Sequence, residues 1–185
     1  MTNLPKIQDL LTDVELRSEQ KDLNILLNTA PNNKWIKSHP FAKNVKYIPV
    51  ERIEWLLTRI FIRWHVEIKS TQLIANSIVV TVRLWYQDRL SDNMLYQDGI
   101  GACPLQTDQG AGAIEFNKIK SNAIMLAAPA AESYAFKDAA EKIGKIFGKD
   151  LNRKDEIGYM SLQGNVIKED KHKELFDEPI NTEKQ

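Results

Sequence analysis

The chain has 185 residues, with 25 lysines and arginines against 25 acids and a single cysteine. That length suits one domain with a terminal tail, and an apolar fraction of 43% is enough for a packed core, which excludes a wholly disordered chain. Lone Cys103 excludes a disulfide framework and a multi-cysteine zinc site, no apolar run approaches the roughly 18 residues of a membrane span, and zero net charge lacks the basic surplus expected of a nucleic-acid binder.

The charge is unevenly placed. Residues 154–185 hold five lysines against eight acids, net −3, which leaves 20 bases against 17 acids, net +3, in residues 1–153. The expectation is one domain over residues 1–153 and an acidic, disordered tail over residues 154–185. The tail segment ELFDEPI mixes acids with Phe176, as partner-binding or groove-shielding tails do; a plain solubilising tail is the alternative. The first residues, MTNLPKIQDLL, carry an early acid and no apolar block with a cleavage site, so no signal peptide is expected and the compartment is a reducing one.

Leu4 to Leu27 reads as mainly helical, with Ile7, Leu10, Leu11 and Val14 at spacings of three and four. Thr29–Lys34 is a turn-forming loop built on Pro31 and an Asn-Asn pair. Pro49 opens an amphipathic helix, IPVERIEWLLTRIF, whose core stripe is Ile53, Leu56, Leu57, Ile60 and Phe61, with Arg52, Arg59 and Arg63 off it. From Trp64 the period becomes two. Trp64, Val66 and Ile68 alternate with polar residues, and Ile78, Val80, Val82 and Leu84 form the apolar half of a second strand. Gln87–Asn93 is a turn, and Met94–Asp98 a third strand that ends at Asp98-Gly99-Ile100-Gly101. A loop over Pro104–Ala113 leads to two helices, Ile114–Ala128 and Pro129–Phe147, the second burying Ala135, Phe136, Ala139, Ala140, Ile143 and Phe147 and capped by Gly148. The fold class is α+β: a three-stranded antiparallel meander packed on a long helix, with helices N-terminal to it.

Catalytic chemistry finds little support. His39, His65 and His172 share no metal-ligand spacing, and no base is placed beside Cys103 in its loop. Asp98 with Glu67 is a two-carboxylate pair that could hold Mg²⁺, without a motif behind it. The Gly99/Gly101 pair is not a dinucleotide fingerprint. No cofactor is expected. Binding features are richer. The last helix carries Lys137, Lys142, Lys145 and Lys149, with Arg153 just beyond; Asp138–Lys142 and Glu141–Lys145 have the acid-first spacing of helix ion pairs, so a plain solvated face is the competing reading. Arg83, Thr81 and Trp85 share one strand face, either a basic and aromatic platform for nucleic acid or a face covered by a helix or another subunit. Arg52 and Arg59, seven apart, could reach phosphates or form surface salt bridges. A three-stranded meander leaves two edges, which favours self-assembly.

The order YIPVERIEWLLTRIF, then Trp64 opening a strand, two further strands, DGIGA, a small-residue loop and AAESYAFKDAAEKIGKIFGKDLNR resembles the Rad-fifty-two superfamily of single-strand DNA annealing proteins, closest to its phage and prophage (Sak-type) branch. The resemblance covers residues 45–153 and is most specific in AFKDAAEKIGKIFG. It implies a βββα core, protomers joined edge to edge into a homo-oligomeric ring or spiral, and single-stranded DNA held by its backbone in a basic groove with its bases exposed. Lys137 matches the family's DNA-contacting helix lysine, and Arg52 a basic residue of the early helix. Asp138 and Glu141 stand where the family carries bases, which leaves Lys142, Lys145 or Arg83 to compensate, with Arg59, Lys149 and Arg153 as further DNA-binding candidates. The DGIG segment resembles the family's strand-end glycine element, with a role in turning the backbone. The resemblance implies a cofactor-independent, non-enzymatic annealer acting in a bacterial host cytoplasm, with a host single-strand-binding protein or a phage exonuclease as candidate protein partners and no membrane. Two other readings compete: an oligomeric interaction or virion protein that keeps the fold without DNA binding, and a small metal-dependent nuclease using Asp98 and Glu67.

Overall fold

The computed structural model describes residues 14–39, 45–61, 63–88, 90–91, 93–112 and 114–153. The start of the expected first helix, the whole acidic tail and His172 lie outside the described residues.

The N-terminal helix is seen as α1, Val14–Asn28, and is followed by a 3-10 turn at Asn33–Trp35. Asn32 caps that turn, its side-chain oxygen accepting from the Lys34 N–H at 3.0 Å. Two short strands, β1 (Lys37–Ser38) and β2 (Lys46–Tyr47), pair antiparallel as a ribbon. Helix α2 spans Val50–Phe61 and buries the whole predicted stripe from Ile53 to Phe61. Pro49 sits one position earlier than expected. It supplies the first helical carbonyl, which accepts from Arg52 and Ile53 N–H, and its own missing N–H leaves no unpaired donor there.

Strands β3 (Trp64–Ile74), β4 (Ser77–Gln87) and β5 (Met94–Pro104) form an antiparallel sheet in that order. Central β4 follows its sequence period closely. Ile78, Val80, Val82, Leu84 and Tyr86 are buried on the inner face, and Val79, Thr81, Arg83 and Trp85 point to the outer face. Strand β3 departs from its pattern. A register shift between Ile68 and Ser70 breaks the pairing, and Ile68 and Leu73, opposite buried Val82 and Ile78, are 55% and 54% exposed. Among the described residues no element covers this part of the sheet, because the long helix lies over β4 and β5.

That helix, α3, spans Ala123–Glu141 as one piece. The expected break at Pro129 is absent: the proline lies inside the helix, whose buried alanines pack on the sheet on either side of it. The first expected helix, Ile114–Ala128, is helical only from Ala123, its earlier part being a loop with a 3-10 turn at Phe116–Lys118, and the second ends early at Glu141. A 3-10 turn, Lys145–Phe147, follows, closed by Gly148 at φ 106 with its N–H on the Lys145 carbonyl at 2.9 Å. Gly148 is thus a cap, but of this turn.

Strand β5 runs straight through the DGIGA segment, so the glycines do not turn the chain as expected. Gly99 and Gly101 pair with Val82 and Val80 on the inner face. A Cβ at Gly99 would collide with the Ala135 carbonyl and the Ala139 nitrogen, and one at Gly101 with the Ala131 carbonyl and the Ala135 nitrogen. Bare backbone meets Ala123, Ala127, Ala131, Ala135 and Ala139, all buried at a spacing of four. Helix and strand can therefore approach to backbone contact. Around this seam one core joins Ile53, Leu56 and Leu57 of α2, Val82 and Leu84 of β4, and Ile146 and Phe147. Each fully buried aliphatic of this size contributes roughly 1.5–3 kcal/mol over its exposed state.

Candidate nucleic-acid interface

The outward side of α2 carries Arg52, Trp55 and Arg59 at positions i, i+3 and i+7, opposite the buried stripe. The Arg52 guanidinium lies 5.0 Å from the Trp55 ring and 5.2 Å from the ring of Trp35, which the 3-10 turn brings alongside. Those two rings meet edge to face at 5.9 Å. Arg59 lies 5.3 Å from the Trp55 ring. Cation and ring quadrupole attract, which draws each guanidinium against its ring.

Lys137 reaches this region from α3. Its ammonium sits 4.7 Å from the Tyr134 ring and 4.9 Å from the ring of Tyr47 on β2. Burial lowers the Lys137 pKa, while Glu141 and Glu51 act to raise it. Glu51 neighbours Arg52 in the first turn of α2, so the two residues singled out for DNA contact flank one junction of α2, α3 and the ribbon. Sequence reasoning missed the ribbon's contribution. Lys37 pairs with Tyr47 in register and lies 3.8 Å from Glu51, and exposed Lys46 is the next residue on β2. Strands of two residues have no readable period, so only the clustering of Lys34, Lys37 and Lys46 in the sequence hinted at them.

The two acids counted against a basic groove are otherwise engaged. The Asp138 carboxylate accepts from the Ile100 backbone N–H at 3.0 Å and from Lys142 at 2.8 Å, and Lys142 also donates to the Asp98 carbonyl at 2.6 Å. Asp138 and Lys142 therefore latch α3 onto the β5 edge. The predicted Asp138–Lys142 pair forms. The Glu141–Lys145 pair does not form among the described residues, because the helix has ended before Lys145. Burial first, and then Asp138, push the Glu141 carboxyl up to about 7 against the opposing pull of Lys137 and Lys142. Near neutral pH it carries only part of a negative charge.

Arg83 lies elsewhere. It projects from the outer face of β4, away from α3, and grips Asp98 through two hydrogen bonds of 2.7 and 2.8 Å. Its guanidinium is 4.0 Å from the Tyr96 ring and 5.6 Å from the Trp85 ring. Asp98 raises the Arg83 pKa, and the same contact holds Asp98 below the usual carboxylate range. Glu67, across the register on β3, accepts from Trp85 Nε1 at 3.1 Å and from Lys69 at 3.0 Å. The platform of Arg83, Thr81 and Trp85 is thus uncovered by the long helix, and His65 joins it by stacking on Trp85 at 6.0 Å. Its charges are paired within the sheet. Arg83 stands between Glu67 and Asp98 in the strand register and is paired with Asp98.

Lys145 lies in the turn after α3, and exposed Lys149 just beyond. Arg153 pairs with Asp150 at 3.1 Å. The Asn152 side chain accepts from the Lys46 N–H at 2.7 Å and donates to the Lys46 carbonyl at 2.8 Å, so the end of the domain docks on the ribbon and sets Arg153 beside it. Cys103 is a partly buried residue of β5 and not a loop thiol as expected. Among the described residues no three His, Cys, Asp or Glu side chains are grouped as metal ligands, and no helix is long and apolar enough to cross a membrane. No model of a known protein family matches the chain, and no curated protein sequence matches it either.

Proposed function

We propose that the protein binds single-stranded DNA by its phosphates along the surface of Arg52, Arg59 and Lys137, extended by Lys37 and Lys46, and anneals complementary strands as a homo-oligomer in a bacterial host. The observation that carries this reading is that α2 and α3 both reach the ribbon, α2 through Glu51 beside Lys37 and α3 through Lys137 on Tyr47, which collects bases from three separate stretches of a chain of zero net charge. Such a site needs no cofactor. Phosphate neutralisation releases counterions and gives affinity without sequence preference, and repetition along one strand multiplies a modest per-subunit attraction. The resemblance of residues 45–153 to single-strand annealing proteins supports the same conclusion. The edges of the sheet support assembly: β5 is latched by Asp138 and Lys142, whereas β3 presents exposed Ile68, Leu73 and Ile74. A host single-strand-binding protein or a phage exonuclease would join it through protein contacts.

The test is fluorescence anisotropy of a labelled oligonucleotide over a salt series. Binding should weaken steeply with salt. Combined Arg52→Ala and Lys137→Ala should flatten the slope of log affinity against log salt by about 1.4, at roughly 0.7 per lost single-strand phosphate contact. Absence of binding at low salt, or indifference to salt, would refute the reading.

A second reading, an assembling protein without DNA affinity, is favoured by the apolar surface at the start of α3 and before it. Ile114 is 75% and Met125 71% exposed there. It predicts self-association with no anisotropy change. The nuclease reading would require Glu67 and Asp98 to release Lys69 and Arg83.

A further inference from the structure

Residues 154–185 leave the domain beside the ribbon. The Asn152 side chain holds both backbone groups of Lys46, accepting from its N–H at 2.7 Å and donating to its carbonyl at 2.8 Å, and only Arg153 stands between that anchor and residue 154. Lys46 is followed on β2 by Tyr47, whose ring lies 4.9 Å from the Lys137 ammonium. Gly148 comes against the next residue, where a Cβ would lie 3.5 Å from Ile48 Cδ1, and exposed Lys149 follows it. Lys46, Lys137, Lys149 and Arg153 are thus gathered around one part of the ribbon, and residues 154–185 depart from the same place. Those residues hold five lysines and eight acids, unevenly spread. Residues 174–183, ELFDEPINTE, carry Glu174, Asp177, Glu178 and Glu183 and no base.

We infer that residues 174–183 of this chain occupy the basic surface around Lys46 and Lys149 when DNA is absent, and that the phosphates of a bound strand displace them. The inference rests on the function proposed above and adds the regulation of that site. Three observations favour it. The first is charge: a carboxylate accepts from lysine and arginine as a phosphate oxygen does, so the same bases serve one or the other. Carboxylates of the domain already meet bases here, Glu51 lying 3.8 Å from Lys37 and Asp150 3.1 Å from Arg153. The second is reach. Residues 154–173 lie between the anchor and the acidic segment and span at most about 70 Å, against roughly 18 Å for the 12 residues of α2, so every base of the surface is within range. The third is the anchor itself. A tether fixed beside the site gives the segment an effective concentration on the order of millimolar, at which even weak exposed ion pairs fill the surface. The zero net charge of the chain then describes a covered site, which a denser line of phosphates opens.

The test keeps the full chain. The variant Glu174→Gln/Asp177→Asn/Glu178→Gln/Glu183→Gln removes the charge of the segment at constant length. Its control, Glu19→Gln/Asp22→Asn/Asp108→Asn/Glu132→Gln, removes as much charge from exposed acids of the domain. Anisotropy of labelled oligo-dT at low salt should show the segment variant binding about three- to tenfold tighter than wild type, the control gaining less, and the difference closing as salt screens the docked segment. Carbodiimide cross-linking, mapped by mass spectrometry on a mixture of isotope-labelled and unlabelled wild type, reads the contact itself. Links from residues 174–183 to Lys46 or Lys149 should form within one copy and disappear when oligo-dT is added. Wild-type affinity in the segment variant, or an equal gain in the control, would overturn the inference. So would links that form only between copies or that survive saturating oligo-dT. DNA binding without any such link removes the inference alone, whereas failure of both wild type and the segment variant to bind at low salt removes the proposed function, and the inference with it.

Discussion

Replacing Gly99 with alanine tests the packing that sets the whole arrangement. Strand propensity alone predicts a gain, since alanine in a strand avoids the entropy glycine loses, worth roughly 0.5–1 kcal/mol. The structure predicts the opposite sign. The new Cβ would lie 2.5 Å from the Ala139 nitrogen and 2.8 Å from the Ala139 Cβ, and closer still to the Ala135 carbonyl. Ordinary contact begins at 3.4 Å, and the obstacles include helix backbone, which cannot rotate away. Helix α3 would have to lift by about 1 Å over its alanine seam, opening the space above Val82 and Leu84, both 0% exposed. Overpacking against side chains costs about 1–3 kcal/mol, and against backbone the upper end applies. For a chain of this size about 3 kcal/mol corresponds to a fall in Tm of roughly 6–12 °C. Urea denaturation followed by tryptophan fluorescence measures it. Gly112→Ala is the control: the nearest atom to its Cβ is the Glu115 carboxylate at 3.6 Å, so a change within about 0.5 kcal/mol is expected. Gly99→Ala at wild-type stability, with an unchanged denaturant slope, would refute the seating of α3 on β5.

Two further predictions concern the domain's charged and docking residues. The raised carboxyl of Glu141 keeps its proton longer in the fold than in the unfolded chain, so its stabilisation is full below about pH 4.5 and is lost as pH rises through about 7. Allowing for its remaining access to solvent, wild type should lose about 1–2 kcal/mol between pH 5 and 8.5 on this account, and Glu141→Gln should lose less by that amount in urea titrations; parallel pH profiles would exclude the assignment. Asn152→Ala removes both hydrogen bonds to the Lys46 backbone and should cost about 1–2 kcal/mol, with faster amide exchange at Lys46; unchanged exchange would mean the ribbon does not depend on this contact.

Periodicity, a local property, was enough to determine much of this protein. The stripe from Ile53 to Phe61, the inner row from Ile78 to Leu84, the antiparallel meander and the α+β class follow from apolar spacing, because burial acts on each element in the same repeating way. Arg52, Arg59 and Lys137 were also legible as surface bases. What the sequence left open depends on neighbours distant in the chain. Gly99 and Gly101 read as a turn until the alanines of α3 were laid on them, and Pro129 read as a helix start until the same seam held it inside one. Asp138 read as a charge opposing a groove, yet its partner is a backbone N–H 38 residues away. Arg83 read as one more base of that groove and instead faces the far side of the sheet, paired with Asp98. The seating of Arg52 on Trp35 and of Lys137 on Tyr47 has no sequence period at all. It exists because two helices and a ribbon pack on one core, and the distances that let a ring hold a cation are set there.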